Sequence, residues 1–304
     1  MRYPNSKLTN IALTALAPIS WGTTYIVATE FLPSGHPLLV AALRALPVGL
    51  LLTIAYRKLP KGIWWWRMLV LGGLNIGIFQ ALLFIAAYRL PGGVAATAGA
   101  IQPFLVVLFA WLILHEQPAK GSILVAIAGF VGIGFLVLDP SAQLDTIGML
   151  AALGGAAAMG LGTVLVKRWQ PPVALPVFTA WQLTIGGAML LPVALMVEGP
   201  FETLSKTNFQ ALLYLGLVGT GLAYLLWFRG IGKLSASAVS YLGLLSPVMA
   251  TLLGFLWLQQ TLTTLQLLGI VVIFASIVVG QKIASQPTPS EHRAQNNQPQ
   301  PCEG

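Results

Sequence analysis

Residues 38–56 of this chain read LLVAALRALPVGLLLTIAY, an apolar run interrupted by one charged side chain, Arg44. A helix that crosses the hydrocarbon core of a bilayer needs about 20 mainly apolar residues, so this run predicts a transmembrane helix. Similar runs recur at residues 9–29, 68–88, 94–114, 121–138, 147–166, 175–197, 209–228, 236–257 and 265–281. The sequence therefore predicts an all-α polytopic membrane protein with ten transmembrane helices.

The composition of the whole chain favours a membrane protein over a soluble one. Hydrophobic residues make up 57% of the 304 residues and charged residues only 8%, whereas a soluble domain is typically about 25% charged. The net charge of +8 comes mainly from residues between the apolar runs, so it does not indicate nucleic-acid binding. We expect the lipid bilayer as a partner and no nucleic acid.

The basic residues are distributed unevenly between the two sides of the predicted membrane. Lys and Arg stay mainly in the cytoplasmic loops where loops are short. With a cytoplasmic N-terminus, thirteen of the 16 basic residues lie on that side, and only Arg89 and Lys206 lie outside. We therefore expect both termini in the cytoplasm. Residues 284–304 are rich in Gln, Pro, Ser and Asn, which predicts a disordered cytoplasmic tail.

The two halves of the chain can be aligned with each other. At a shift of 138 positions, two pairs of small or polar residues coincide: Arg44 with Gln182 and Gly49 with Gly187. At a shift of 144 positions, three more pairs coincide: Gln80 with Tyr224, Gly99 with Gly243 and Pro103 with Pro247. Each half holds five predicted helices, an odd number, so the second half must enter the membrane from the opposite side. We predict two inverted five-helix repeats, residues 9–138 and 147–281, an arrangement that recurs in secondary transporters. The alternative is a duplicated scaffold without a transport function.

Arg44 is the one formal charge that we expect well inside a transmembrane helix. Such a charge is costly unless it reaches the surface, is paired, or faces an aqueous cavity. Arg44 is therefore an anchor for a substrate carboxylate, a part of an outer gate, or a structural anchor that extends to the outer surface. Its repeat partner Gln182 cannot supply a charge, so a site formed by both halves would be electrostatically uneven.

Other polar and aromatic residues inside the predicted helices are candidates to bind a small-molecule substrate together with Arg44 and Gln182. They are Trp21, Tyr25, Gln80, Gln102, Trp181, Tyr224 and Tyr241. Aromatic walls would suit a planar or amphiphilic substrate, although core packing is the more common use of a single ring. Gln80 and Tyr224 are also candidates for interhelical hydrogen bonds.

Two prolines occupy matching places in the predicted fourth and ninth helices. Pro103 and Pro247 each remove the backbone hydrogen bond to the carbonyl four residues earlier, and those carbonyls belong to Gly99 and Gly243. Each Gly–Pro pair predicts either a hinge or a static, packed kink.

No motif for a cofactor, a metal or an enzymatic reaction is readable. The chain lacks a Gly-x4-Gly-Lys-Ser/Thr loop for ATP, and Ala119 stands where a zinc-protease motif beginning at His115 needs its second His. The predicted helices also contain no Asp, Glu or His, which proton-coupled carriers commonly keep as relays. We expect no catalytic residues, no metal and no cofactor, and transport that follows the substrate gradient.

With these features the chain resembles EamA-type members of the drug/metabolite transporter superfamily, over about residues 9–281. The residues that carry the resemblance are Trp21 with Gly22, Arg44, Pro103, and Glu116 with Pro118. The stretches WGTTYIVAT at 21–29 and AYRLPGGVAAT at 87–97 are similar to the PecM-like branch, thought to export a pigment. The resemblance implies an exporter of small metabolites, amino acids or drug-like compounds in a bacterial-type inner membrane. The alternative is a membrane enzyme or a regulatory membrane protein that transports nothing.

Overall fold

The computed structural model describes residues 7–90, 99, 101–115, 120–137, 145–201, 203–257 and 263–284, and every regular element in these ranges is helical. The helices, numbered in chain order, are α1 (Lys7–Phe31), α2 (Pro37–Tyr56), α3 (Trp64–Arg89), α4 (Gln102–Leu114), α5 (Lys120–Val137), α6 (Thr146–Trp169), α7 (Leu175–Val197), α8 (Lys206–Lys233), α9 (Ala236–Trp257) and α10 (Thr264–Ile283). Two of them contain a π-helical segment, Gly73–Ile78 in α3 and Leu217–Leu222 in α8. Helix α9 consists of two segments, Ala236–Leu242 and Leu245–Trp257, joined by a turn.

Eight of these helices, α1 to α3 and α6 to α10, are long and apolar enough to cross a membrane, while α4 and α5 are shorter apolar helices. Residues 91–98, Glu116 with Pro118, and all but the first residue of the predicted tail lie outside the described residues. The prediction of an all-α polytopic membrane protein is confirmed. The count of ten transmembrane helices and their inverted repeat remain predictions.

Large apolar side chains cover the outward surface of the bundle. Leu51 and Ile54 on α2, Leu124 on α5 and Met196 on α7 are each more than 60% exposed. In water a continuous surface of this kind would drive association. In a bilayer it faces lipid at no such cost, so hydrocarbon is the solvent for which this surface is suited.

Acidic side chains satisfy backbone groups at two helix ends. The Asp145 carboxylate accepts a hydrogen bond of 2.6 Å from Gly148 N in the first turn of α6. Glu198, which follows α7, accepts from Leu38 N at 2.8 Å and Leu39 N at 2.9 Å in the first turn of α2. The first N–H groups of a helix have no partner within it and attract negative charge. Glu198 therefore ties the start of α2 to the end of α7.

Helices α2 and α7 form the most extensive helix contact among the described residues. They approach each other most closely at glycines: Gly49 lies against the backbone of Leu183 and Thr184, and Gly187 against the backbone of Leu46. A small residue is required at these points because a Cβ on Gly187 would lie 2.8 Å from Leu46 N. The contacts of residue 49 with 184 and of residue 46 with 187 also show that the two helices run antiparallel.

Helices α5 and α10 form a second antiparallel pair. Gly121 lies opposite Ile283, and Gly132 lies opposite Val272, eleven residues nearer the start of α10. The remaining large contacts join α3 to α6, α1 to α8, α3 to α7, α1 to α9 and α4 to α6, and a smaller one joins α2 to α8. Adding five to each helix number, and continuing from α10 to α1, gives the same set of contacts again. For example, the pair α3–α6 becomes the pair α8–α1.

Candidate functional site

A cavity lies among α1, α2, α3, α4, α6 and α9. The centres of water molecules can occupy about 90 Å³ of it, several times the roughly 10–15 Å³ that a single water needs. Nine of the residues predicted from the sequence line it: Trp21, Tyr25, Arg44, Gln80, Gln102, Gly99, Pro103, Gly243 and Pro247. The structure therefore brings most of the predicted substrate-binding residues and all four predicted hinge residues around one space.

Arg44 is held inside the bundle and does not extend to a surface, as its side chain is only 1% exposed. Its Nε donates to Thr220 Oγ1 at 2.7 Å, and its Nη2 donates to Gly219 O, also at 2.7 Å. The guanidinium carbon lies 5.5 Å from the centre of the Phe84 ring. The third nitrogen, Nη1, is buried and has no hydrogen-bond partner among the described residues.

The groups that hold Arg44 belong to the π-helical segment of α8. This wider helical turn is rare and is often found at functional sites. Gly219 O accepts a second hydrogen bond, of 3.1 Å, from Trp21 Nε1. The segment thus positions both a cation and an aromatic ring that line the cavity.

The π-helical segment of α3 makes a corresponding contact with α7. Asn75 Nδ2 donates to Gln182 Oε1 at 2.7 Å, and both side chains are fully buried. Gln182 occupies the position in the second half that aligns with Arg44, and Asn75 aligns with Gly219. In each half, therefore, one polar side chain binds the π-helical segment of the other half.

Gln80 and Tyr224, which the repeat alignment pairs, contact each other directly. The Tyr224 hydroxyl donates to Asn75 O at 2.9 Å and accepts from Gln80 Nε2 at 3.3 Å. Because the hydroxyl proton is used by Asn75, Gln80 must present its NH2 group to Tyr224. Its Oε1 is consequently left buried without a partner in the described part of the chain. The interhelical hydrogen bond considered for this pair is present, and Gln80 also lines the cavity.

Both predicted hinge prolines lie in the first turn of a helical segment. Pro103 is the second residue of α4, and Pro247 is the third residue of the Leu245–Trp257 segment of α9. A proline in a first turn costs no helical hydrogen bond. Gly243 O, which Pro247 leaves unpaired, accepts instead from Ser246 N at 3.1 Å. Helix α9 is therefore broken at the cavity. The second segment of α9 and helix α4 both begin beside it.

Four predicted residues lie outside the cavity lining. Tyr224 stands behind it, with its ring centre 5.3 Å from that of Trp21. Trp181 donates to Lys58 O at 2.7 Å. Tyr241 donates to Ser122 O at 2.8 Å and joins α9 to α5, while Gln182 is bound to Asn75 as described.

Part of the lining was not identified from the sequence. It comprises Phe79, Leu83 and Ala86 on α3, Ala152, Gly155 and Ala156 on α6, and Ser240, Leu244 and Ser246 on α9. The α6 residues carry neither charge nor polar side chain, so their only signal was small size. Small residues here leave room for the cavity, whereas elsewhere in the bundle they allow close helix packing.

Comparison with known proteins assigns the sequence to a family. The model of the EamA-like transporter family matches residues 8–138 and 146–279. Protein PecM of Dickeya dadantii is 45% identical over 270 residues, which cover 88% of this chain and 91% of that protein. The probable amino-acid metabolite efflux pump of Salmonella typhimurium is 28% identical over 284 residues, covering 88% and 93% respectively. One crystal structure, 20% identical, superimposes with a TM-score of 0.76 over 90% of this chain and 98% of that one, which indicates a shared fold.

Proposed function

The chain belongs to the EamA-like transporter family, and from this premise we propose that it is a secondary transporter that exports small metabolites or drug-like and aromatic compounds by alternating access. Its place is a bacterial-type inner membrane, with both termini cytoplasmic. The substrate binds in the cavity lined by Trp21, Tyr25, Arg44, Gln80 and Gln102. No cofactor or metal takes part.

One observation carries this proposal: a cavity within the bundle is lined by polar side chains that hold buried atoms without partners. They are Arg44 Nη1, Gln80 Oε1 and Gln102 Nε2, each unpartnered among the described residues. A polar atom buried without a partner costs about 1–3 kcal/mol, and more for a charged group. A small side-chain movement that turns these atoms toward a ligand in the cavity would remove that cost, whereas a scaffold would gain nothing from it.

The pairing of the helices supports alternating access. Helices α2 and α7 would be equivalent members of two inverted repeats, and so would α5 and α10. Each pair is antiparallel, and the set of helix contacts is preserved on a shift by five helices. The family model also matches two segments close to the predicted repeats. Two inverted halves can exchange conformations, which opens a central site to either side in turn.

The two π-helical contacts are the points at which the halves would differ during that exchange. Arg44 binds the segment in α8 with a charged group, whereas Gln182 binds the segment in α3 with a neutral amide. In the opposite conformation, Arg44 would lie in surroundings like those of Gln182 in this structure, and Gln182 in surroundings like those of Arg44. Because only one of the two contacts carries a charge, the two conformations differ in energy. The empty carrier therefore populates one conformation, open to one side of the membrane, more than the other.

Efflux from substrate-loaded membrane vesicles tests the proposal. The panel should hold amino acids, aromatic pigments and common drugs, since one relative is named as an amino-acid metabolite efflux pump. Arg44→Gln and Gln102→Ala should lower efflux of the transported compound at least fivefold at normal membrane levels. The matched control is Trp66→Phe, because Trp66 is 64% exposed on the outside of α3. A protein that neither binds nor moves any panel compound would refute export.

A further inference from the structure

We propose that a second pocket, at the start of α1, binds the phosphate headgroup of an anionic phospholipid. The start of α1, the turn from α8 to α9 and the end of α10 form its walls, and its polar lining consists of Lys7, Asn10, Lys233 and Ser235. The centres of water molecules can occupy about 270 Å³ of it, three times the corresponding volume of the central cavity. The two spaces share no lining residue, so this proposal does not depend on what the cavity transports.

The pocket lies where three helices enter or leave the membrane. Lys7 is the first residue of α1, Lys233 is the last residue of α8, and Ala284 directly follows α10. The headgroups of a bilayer lie at this level, just outside its hydrocarbon core. At the same helix ends, Leu8 on α1 is 74% exposed and Val278 on α10 is 53% exposed, which provides apolar surface for acyl chains. Among phosphate compounds, a lipid headgroup is therefore the one held at the height of the pocket.

Asn10 and Ser235 each present a hydrogen-bond donor to the pocket. Asn10 is only 8% exposed, and its Oδ1 accepts from Arg229 Nη2 at 2.9 Å. Because a guanidinium can only donate, this bond fixes the amide and leaves Nδ2 for another acceptor. Nδ2 has no partner in the described part of the chain, yet it is not one of the fully enclosed unpartnered atoms, so a ligand can reach it. Ser235 Oγ accepts from Ala238 N at 3.2 Å, which leaves the hydroxyl proton for a ligand.

Four basic side chains give the pocket a positive potential. Lys7 and Lys233 line it. Arg229 lies one hydrogen bond behind Asn10. Lys167 Nζ donates to Leu234 O in the wall at 2.7 Å, which covers a carbonyl oxygen that would otherwise repel an anion.

The described acidic residues lie away from this pocket. Glu30 is at the opposite end of α1, Asp145 begins α6 at the end opposite to Lys167, and Glu198 binds the start of α2. A pocket with several donors and an unopposed positive potential suits a phosphate group, and basic pockets between membrane helices bind anionic headgroups. A zwitterionic lipid would place its own cation next to Lys7 and Lys233. The site should therefore select lipids with a net negative charge.

Thermal unfolding of the purified full-length protein in a neutral detergent tests this selection. Phosphatidylglycerol and phosphatidylcholine with the same acyl chains differ only in the headgroup, and glycerol 3-phosphate is a phosphate without acyl chains. Saturating phosphatidylglycerol should raise Tm about 4 °C more than phosphatidylcholine does. Glycerol 3-phosphate at about 10 mM should raise Tm by less than a quarter of that difference.

Removing the two lining charges together, in Lys7→Gln/Lys233→Gln, should reduce the difference between the two lipids at least fourfold and leave the response to phosphatidylcholine unchanged. The matched control is Lys58→Gln/Lys61→Gln. It removes two charges from exposed lysines between α2 and α3, outside the pocket. This control should keep the full difference.

Asn10→Asp tests the donor independently of the lysines. An aspartate still accepts from Arg229, which preserves the contact of α1 with α8, but it offers no donor and adds a negative charge. The preference for phosphatidylglycerol should disappear in this variant while Tm without lipid changes little.

The other outcomes would overturn the proposal. If the parent protein shows no preference, or if the Lys7/Lys233 variant or Asn10→Asp keeps it, no anionic headgroup binds in this pocket. An equal loss in the Lys58/Lys61 control would mean that the preference reflects the overall charge of this face of the protein. Equal stabilisation by glycerol 3-phosphate would identify the ligand as a free phosphate compound and refute the lipid.

Discussion

At the residue scale, a few buried polar side chains join the two halves beside the cavity. Tyr224 is the central one, since its hydroxyl accepts from Gln80 on α3 and donates to Asn75 O in the π-helical segment. Removing that hydroxyl leaves both neighbours unpaired in a place that water reaches poorly. The network therefore contributes to stability and fixes the orientation of the Gln80 amide.

Tyr224→Phe should destabilise the folded protein by about 1–2 kcal/mol, in the upper range for hydrogen bonds in membrane proteins. The measurement is the free energy of unfolding in mixed micelles, with thermal unfolding as a check. The control is Tyr214→Phe, whose hydroxyl contacts Thr23 Oγ1 at 2.9 Å on a side chain that is 36% exposed. Its effect should stay below about 0.5 kcal/mol. Equal effects of the two changes would show that the buried network adds nothing.

At the element scale, glycines determine how closely α2 and α7 approach. Gly49 and Gly187 coincide in the repeat alignment, and each lies against the backbone of the other helix. Neither glycine has a positive φ, so their backbone conformations are open to any residue and only the space is restricted. The sequence predicted the equivalence of the two positions, while their mutual contact depends on how the halves pack.

Gly49→Ala should lower the stability of the bundle by about 1–3 kcal/mol, the usual cost of overpacking. Its Cβ would lie 2.7 Å from the Leu183 carbonyl carbon and 2.8 Å from Thr184 Oγ1, so the helices must separate. Gly232→Ala in α8 is the control, since no atom lies within 4 Å of its added Cβ. Alanine there should be neutral or stabilising by up to about 1 kcal/mol. A comparable loss of unfolding free energy in the two variants would contradict the close approach of α2 and α7.

At the scale of the whole molecule, orientation in the membrane decides to which side the cavity opens. Thirteen of 16 basic residues predict cytoplasmic termini. In a Cys302→Ser background, single cysteines at Ser34 and Leu204 should react with an impermeant thiol reagent added to intact cells, while those at Lys61 and Pro172 should not. All four positions are exposed, so accessibility within the fold does not bias the result. The opposite labelling pattern would reverse the topology.

Energy coupling is also a property of the whole carrier. The described acidic groups nearest a transport path lie at helix ends, among them Glu30 in the last turn of α1, and proton relays usually lie deeper. We expect proteoliposomes loaded with substrate to release it without a pH gradient, at a rate set by the substrate gradient. Glu30→Gln and Glu116→Gln should leave that rate within twofold. A strict need for an imposed proton gradient, lost in either variant, would show that protons drive export.

What the sequence determined by itself was the membrane environment, most helix positions, and the polar residues inside the helices that are candidates to bind a substrate. These follow from local properties, because hydropathy over about 20 residues and the charge of short loops act without reference to the rest of the fold. Arg44, Gln80 and Gln102 could be identified because a polar side chain inside a membrane-spanning helix is unfavourable unless it has a partner or a function, however the helices pack.

Only the tertiary structure decided which candidates share a space. Trp181, Gln182, Tyr224 and Tyr241 have the same chemistry as the residues that line the cavity, yet they face other helices or stand behind the lining. Ala152, Gly155 and Ala156, with no polar signal, line it. The direction in which a residue faces depends on the rotation of its helix against neighbours more than 100 residues away. That rotation is set by the packing of small residues between helices, which no local pattern records.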